Sequence, residues 1–262
     1  MKHALLGIVS LLTLITPIKA ESIEAVDVIK KAINANYYAG NSVRTTVDMD
    51  IYDNQGRKRV RRLTMLRSNL GLNDGTQKYY VYFRKPSDVK KMVFMAWKNV
   101  GRDDDRWLYL PALDLVKRIA ASDERTSFVG SHFYYEDVSG REVTEDKHSL
   151  VKETDAHYVI KSMPMEPNKV EFSYYVNWVD KKTFLPMKVE YYDGNNKTYR
   201  TYEVKTVKTI DTYPTAVDVQ MENSQTGGKT ILHYSNIKYK LNLPKSIFTE
   251  RYLRKPARRY LK

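Results

Sequence analysis

The chain has 262 residues, 44 Lys and Arg against 31 Asp and Glu, a formal charge of +13, and no cysteine. Without thiols it can build no disulfide, Cys-ligated zinc site, iron–sulfur cluster or cysteine nucleophile, so its stability rests on burial alone. The basic balance favours polyanions, but the basic residues are scattered among acidic ones, which fits a solvated face better than a nucleic-acid site.

The N-terminus carries Lys2, an apolar run over 4–18, and Ile18-Lys19-Ala20 ending on a small residue. This pattern predicts a cleaved signal peptide of residues 1–20, since the run is shorter than the roughly 20 residues of a membrane span. Residues 21–262 then form a single exported domain of charge +11, Lys2 and Lys19 having gone with the leader. Such a domain meets anionic phospholipid head groups and cell-wall polymers.

One helix is expected first. Ser22 is a fair N-cap, Ile23, Val26, Ile29, Ile33 and Tyr37 recur at helical spacing, and Gly40 ends the pattern. The period then switches to two, with Val43, Thr45, Val47, Met49 and Ile51 on one face. Asp53-Asn54-Gln55-Gly56 turns the chain into a strand over 60–66, and Asn73-Asp74-Gly75 turns it again. Strands follow at 78–84, 92–97 and 106–110, then a bend at Pro111-Ala112 runs into 113–119. Tyr79, Val81 and Phe83 alternate with Tyr80 and Tyr82, so both faces of the 78–84 strand are aromatic. Further strands are expected at 157–164, 170–179, 187–192, 197–210, 215–223 and 229–238, joined by polar or Gly-rich turns. Ten or more antiparallel strands suggest one wide sheet curled into an open or closed barrel, because flat sheets that wide are unusual.

Catalytic and metal motifs are weak. Asp103-Asp104-Asp105 could attract a divalent cation, but lacks the spacing and glycine of a calcium loop and is more simply a solvated turn. Ser131 and His132 are adjacent, so on extended chain they point to opposite faces, and Gly-x-Ser-x-Gly is missing. His148, His157 and His233 fall at no metal-ligand spacing. The reading is therefore a protein that is not an enzyme, with no catalytic residue, metal or cofactor. The 21 tyrosines have two explanations. Tyr suits a half-buried pleated surface, and rings with polar tips also suit the wall of a cavity for an amphipathic molecule.

The runs Trp107-Leu108-Tyr109-Leu110-Pro111-Ala112-Leu113, Val116-Lys117-Arg118-Ile119, Ser127-Phe128-Val129-Gly130-Ser131 and Phe133-Tyr134-Tyr135-Glu136-Asp137 resemble a signature of outer-membrane lipoprotein-sorting proteins of the LolA-like superfamily. The segments 83–89 with 94–97, 178–180 with 185–191, and 247–253 are similar to flanking parts of that family. The resemblance implies a mainly β, α+β fold: a large, strongly curved antiparallel sheet forming an incomplete barrel, its concave side covered by helices and loops. It also implies a periplasmic carrier that holds lipids or lipoprotein acyl chains and moves them toward the outer membrane. The alternative it leaves open is an accessory protein of a resistance-nodulation-division type exporter in the inner membrane, with no cargo cavity of its own.

An acyl chain gains about 0.8 kcal/mol per methylene buried, so no catalytic group is needed to hold one. Candidate lining residues are Met92, Phe94, Trp97, Trp107, Tyr109, Leu110, Leu113, Phe128 and Phe133, although each taken singly is more simply a core residue. Arg106 and Arg118 are candidates for charge at the cavity mouth, against the simpler pairing of these arginines with nearby acids. The expected partners are acyl chains and an exporter, with no nucleic acid, and the expected state is a monomer.

Overall fold

The computed structural model describes residues 23–70 and 75–262. The expected leader, Ser22 and the Asn73-Asp74 part of the second turn lie outside the described residues. Helix α1 (Ala25–Ile33) runs on as a π-helical turn, Asn34–Tyr38. Its acidic Asp27 in the first turn and Lys30 and Lys31 in the last complement the helix dipole. The buried face is Ala25, Val28, Ile29 and Ala32, while Val26, expected inside, is exposed. Two alanines on that face let the helix lie close against Ile160 and Val179 of the sheet.

Thirteen strands are found among the described residues, all in one antiparallel sheet. The first six are β1 (Ser42–Tyr52), β2 (Lys58–Ser68), β3 (Gln77–Lys85), β4 (Val93–Lys98), β5 (Asp105–Leu110) and β6 (Leu115–Ile119). They meander outward from β1 to one edge. The chain then enters the opposite edge as β7 (Asp146–Glu153) and meanders back through β8 (His157–Pro164), β9 (Tyr174–Asp180), β10 (Pro186–Tyr192), β11 (Thr198–Ile210), β12 (Tyr213–Asn223) and β13 (Lys229–Tyr239). Strand β13 pairs with β1 and so joins the two halves. Bulges at Arg44/Thr46 and between Val204 and Val207 interrupt the register, and such bulges increase local twist. The sheet curls until Leu63, Phe83 and Phe94 from one half share a core with Val204, Val219 and Met221 from the other. Edges β6 and β7 stay unpaired with each other, so the barrel is incomplete.

Residues 120–145 connect those two edges and must therefore cross the concave face. Val129 and Gly130, both at positive φ (51° and 75°), reverse the chain so that Phe128 and Phe133 both point into the core. Phe128 packs edge-on against Phe94 at 5.3 Å, and Tyr135 of α2 (Tyr135–Ser139) lies 5.4 Å from Phe94 and 5.5 Å from Phe128. This half of the concave face is filled.

The convex face of β2 to β5 is covered as well. Residues 241–262, including α3 (Arg251–Arg254), lay Ile247, Phe248, Leu253 and Leu261 against Leu66, Tyr80, Met95 and Trp107. Tyr80 donates a hydrogen bond to the Tyr252 carbonyl at 2.7 Å, and Trp97 Nε1 to the Phe248 carbonyl at 2.9 Å. Two buried faces explain why β3 is aromatic on both. Phe248→Ala is expected to cost about 3–5 kcal/mol in urea unfolding, the usual range for a core phenylalanine. A loss below about 1 kcal/mol would mean that the C-terminal segment is not part of the core.

Candidate functional site

What holds the crossing segment over the sheet is a network of buried charges. Glu136 of α2 accepts from Arg125 Nη1 at 2.7 Å and from Arg141 Nη1 at 3.3 Å. Arg125 also donates to both oxygens of Glu171 (2.6 and 2.8 Å), and Arg141 to both of Asp146 (3.1 Å each). The Tyr175 and Tyr199 hydroxyls donate to Asp146 and Glu171, each at 2.9 Å. Farther along, Arg200 of β11 pairs with Asp137, and Lys98 of β4 donates to the Gly140 carbonyl at 2.8 Å and contacts Glu142 at 3.1 Å. The segment is thus tied to both halves of the sheet.

Two cavities remain between this cover, α1 and the concave face. The larger, about 160 Å³, lies beneath Ile29, Ala32 and Ile33 of α1, with Phe133 and residues 136–137 and 140–143 on one side and Tyr175, Asn177, Val189, Tyr191, Tyr202 and Met221 on the sheet. The smaller, about 130 Å³, is walled by Val43, Thr45, Met65, Arg67, Tyr79, Val138, Ala216, Tyr234 and Tyr239, among others. Asn36 and Tyr37 of the π-helical turn line both. Tyr37 packs on Gly140, where a Cβ would fall 2.8 Å from its ring and φ is +75°, so only glycine meets both demands. Seven tyrosines line the pair. Burial drives the Tyr191 and Tyr234 hydroxyls up to about 12, so they stay protonated donors. Asn177 Oδ1 is buried with no hydrogen-bond partner among the described residues, a place for a donor from a ligand or water.

Of the nine residues expected to line a cavity, Phe133 lines the larger one. Met92, Phe94, Leu110 and Phe128 face the concave side, but in its filled half. Trp97, Trp107 and Tyr109 do not face it at all. They alternate with Phe94, Ala96, Arg106 and Leu108 and so belong to the convex cluster under the C-terminal segment. Leu113 is 70% exposed. Neither arginine sits at a cavity mouth: Arg106 is buried between Asp104 (2.9 Å) and Glu124 (2.8 Å), and Arg118 is exposed on Asp105. Asp104 also accepts from Ser139 Oγ at 3.0 Å, and Asp105 from Arg102 at 3.1 Å, so these acids serve cation pairs and the cover. Among the described residues no group of His, Asp and Glu is arranged to hold a metal ion. His132 meets Thr230 Oγ1 at 2.9 Å and the Gly227 carbonyl at 3.0 Å.

The sequence reading missed Tyr37, Tyr175, Asn177, Tyr191, Tyr202 and Arg67. Signals existed for two of them. Arg67 stands in the inward register of β2 after Leu63 and Met65, and Asn177 alternates between Tyr175 and Val179, both buried.

The incomplete barrel is a fold that this chain shares with a solved LolA superfamily protein. The structure superposes on that of a DUF1329 family protein from Desulfovibrio piger ATCC 29098 with TM-score 0.80 and 24% identity, over 87% of this chain and 97% of the other. A protein from Vibrio parahaemolyticus, described as an outer membrane lipoprotein-sorting protein domain, gives TM-score 0.80 and 26% identity over 88% and 98%. A LolA superfamily protein from Nitrosomonas europaea gives TM-score 0.66 and 19% identity over 88% and 100%. No curated protein matches. A family model described as that of an uncharacterized protein matches residues 75–255, and the chain belongs to this DUF1329-like family.

The charge network sets a pH dependence. Burial pushes the Glu136 carboxyl up, but Arg125 and Arg141 outweigh it and hold the group below the usual carboxylate range. A depressed folded value means that the stabilisation is complete above pH about 4.3 and is lost as the pH falls through the folded value. Glu136→Gln is expected to cost about 3–5 kcal/mol at neutral pH, because it leaves two buried guanidinium groups short of charge. The gap from the parent should narrow below pH about 4 in urea unfolding at stepped pH, and a gap unchanged at pH about 3 would contradict the assignment.

Proposed function

We propose that this protein is a non-enzymatic periplasmic carrier, exported through the leader at residues 1–20, that shelters the acyl chain of a lipid or lipoprotein and moves it toward the outer membrane. The observation that carries this reading is the pair of tyrosine-lined cavities between the concave sheet and the crossing segment that covers it. The lipoprotein-sorting description of the Vibrio parahaemolyticus relative supports it.

The chemistry is that of transfer rather than reaction. Each methylene moved from water into such a cavity gains about 0.8 kcal/mol. Tyrosine rings supply apolar area while their hydroxyls remain hydrogen-bonding groups, which suits the junction between a chain and its polar end. The larger cavity lies under α1, and Ala32 is the small residue of its roof.

Native mass spectrometry of protein taken from the periplasmic fraction, before and after organic extraction, is expected to reveal an extractable acyl adduct. The purified protein is expected to speed transfer of a fluorescent phospholipid between vesicles. Ala32→Phe fills the larger cavity from the helix side and is expected to lower both signals about tenfold, the equivalent of about 1.4 kcal/mol. Finding only the bare mass, with no transfer, would rule out carriage.

A further inference from the structure

The smaller cavity contains a cation without a counter-charge. Among the described residues Arg67, Lys98, Arg106 and Arg200 are buried over the whole residue, and the side chains of Arg125 and Arg141 are held by the acids already described. Lys98 has Glu142, Arg106 has Asp104 and Glu124, and Arg200 has Asp137. Arg67, 4% exposed, has no carboxylate partner among the described residues. Its two terminal nitrogens donate to the backbone carbonyls of Tyr37 and Ala39, and its Nε has no partner. Around it the cavity presents hydroxyls and apolar groups. Thr215 and Tyr239 are hydrogen-bonded to each other at 2.9 Å, Thr45 donates to backbone carbonyls, and Val43, Met65 and Ile237 complete the wall. An isolated buried charge is costly, and the cost falls when an anion joins it.

Resting on the carrier reading, we propose that Arg67 receives the anionic head of a lipophilic ligand, a carboxylate or phosphate monoester, in the smaller cavity. The hydrocarbon chain passes Asn36 and Tyr37 into the larger cavity. These two residues line both spaces, so a single ligand following this path crosses one boundary. With one hydrogen of each terminal nitrogen given to a carbonyl, Nε–H and the remaining terminal hydrogens are the donors for either oxyanion, and beyond Tyr37 the apolar groups of Ile29, Ala32, Ile33, Val189 and Met221 take the chain. The site would then favour charged amphiphiles over neutral ones of equal length.

The test compares decanoate, decyl phosphate and methyl decanoate by displacement of a fluorescent fatty acid from the full-length mature protein, at one fixed salt concentration. The unsubstituted protein is expected to bind the anions at least about tenfold more tightly than the ester, a difference of about 1.4 kcal/mol. The tighter of the two anions identifies the head group as carboxylate or phosphate. R67M is expected to bring the anions down to the affinity of the ester measured on the same variant, and R67K to keep part of the preference. Because Arg67 also secures the turn at residues 37–39, the comparison of the three ligands on the unsubstituted protein stands by itself should R67M not fold. Equal binding of ester and anions would overturn the anion site and leave the carrier reading intact. Binding of none of the three would overturn both.

Discussion

The structure depends on Glu136 lying between Arg125 and Arg141. Residues 120–145 must pass from one edge of the sheet to the other, and a segment of short helical turns has few backbone pairs of its own to hold it there. The buried carboxylate supplies the missing fixation by gathering an arginine from each side of α2, each of which binds a second acid, Glu171 or Asp146. Such a network is a poor source of net stability, since well-packed apolar residues of similar volume often do as well. Its effect is positional. It sets α2 above β9 to β11, so that Phe128 packs on Phe83 and Phe94 while cavities remain over β9 to β12 and between β1 to β3 and β12 to β13.

The need for this device follows from the connectivity. Two meanders joined through β1 and β13 leave their free edges, β6 and β7, at opposite ends of the sheet. Closing a barrel would have removed the edges and the need for a cover. Leaving it open makes the crossing segment, among the described residues, the chain that links one edge to the other. The exposed edge strands carry charges, Lys117 and Arg118 on one and Lys147, Lys152 and Glu153 on the other, which discourage pairing with another sheet. The convex side of β2 to β5 needs its own cover because β3 is aromatic on both faces, and the C-terminal segment provides it.

Much of this fold could be read from local pattern. The alternation from Val43 to Ile51 placed the inner face of β1, and the Asp53–Gly56 turn fixed its hairpin with β2. Strand β7 had little signal, because Asp-Lys-His-Ser-Leu-Val-Lys-Glu is a solvated edge with no buried stripe. The site was harder. Trp97 and Trp107 looked like cavity wall because of their bulk, yet strand parity sends them to the convex face, and parity means cavity only when one face is empty. Here both faces are covered, so large apolar side chains mark burial and say nothing of which layer buries them. The residues that do line the cavities come from α1 and its π-helical turn, the crossing segment and nine strands, and no sequence window contains them together. Arg67 was the exception: a charge in an apolar register is visible locally, and its meaning depended on finding no acid beside it.

In the proposed carrier role, the small resting volume of the cavities becomes part of the energetics. A ten-carbon chain gains about 8 kcal/mol on leaving water, yet spaces of about 160 and 130 Å³ with Asn36 and Tyr37 between them do not hold it without rearrangement. Tyr37 is the group that must move, and its setting makes the movement local. Its hydroxyl lies 3.4 Å from the Asp137 carbonyl, a weak contact, and its ring rests on Gly140. A turn of tyrosine about its first two side-chain bonds costs little beside the gain from the chain. Release runs the same way in reverse: once the chain leaves, the ring returns to Gly140 and the two spaces separate again. The carboxylates that anchor the cover need not break for either step, so the protein can keep its buried charges paired while cargo passes.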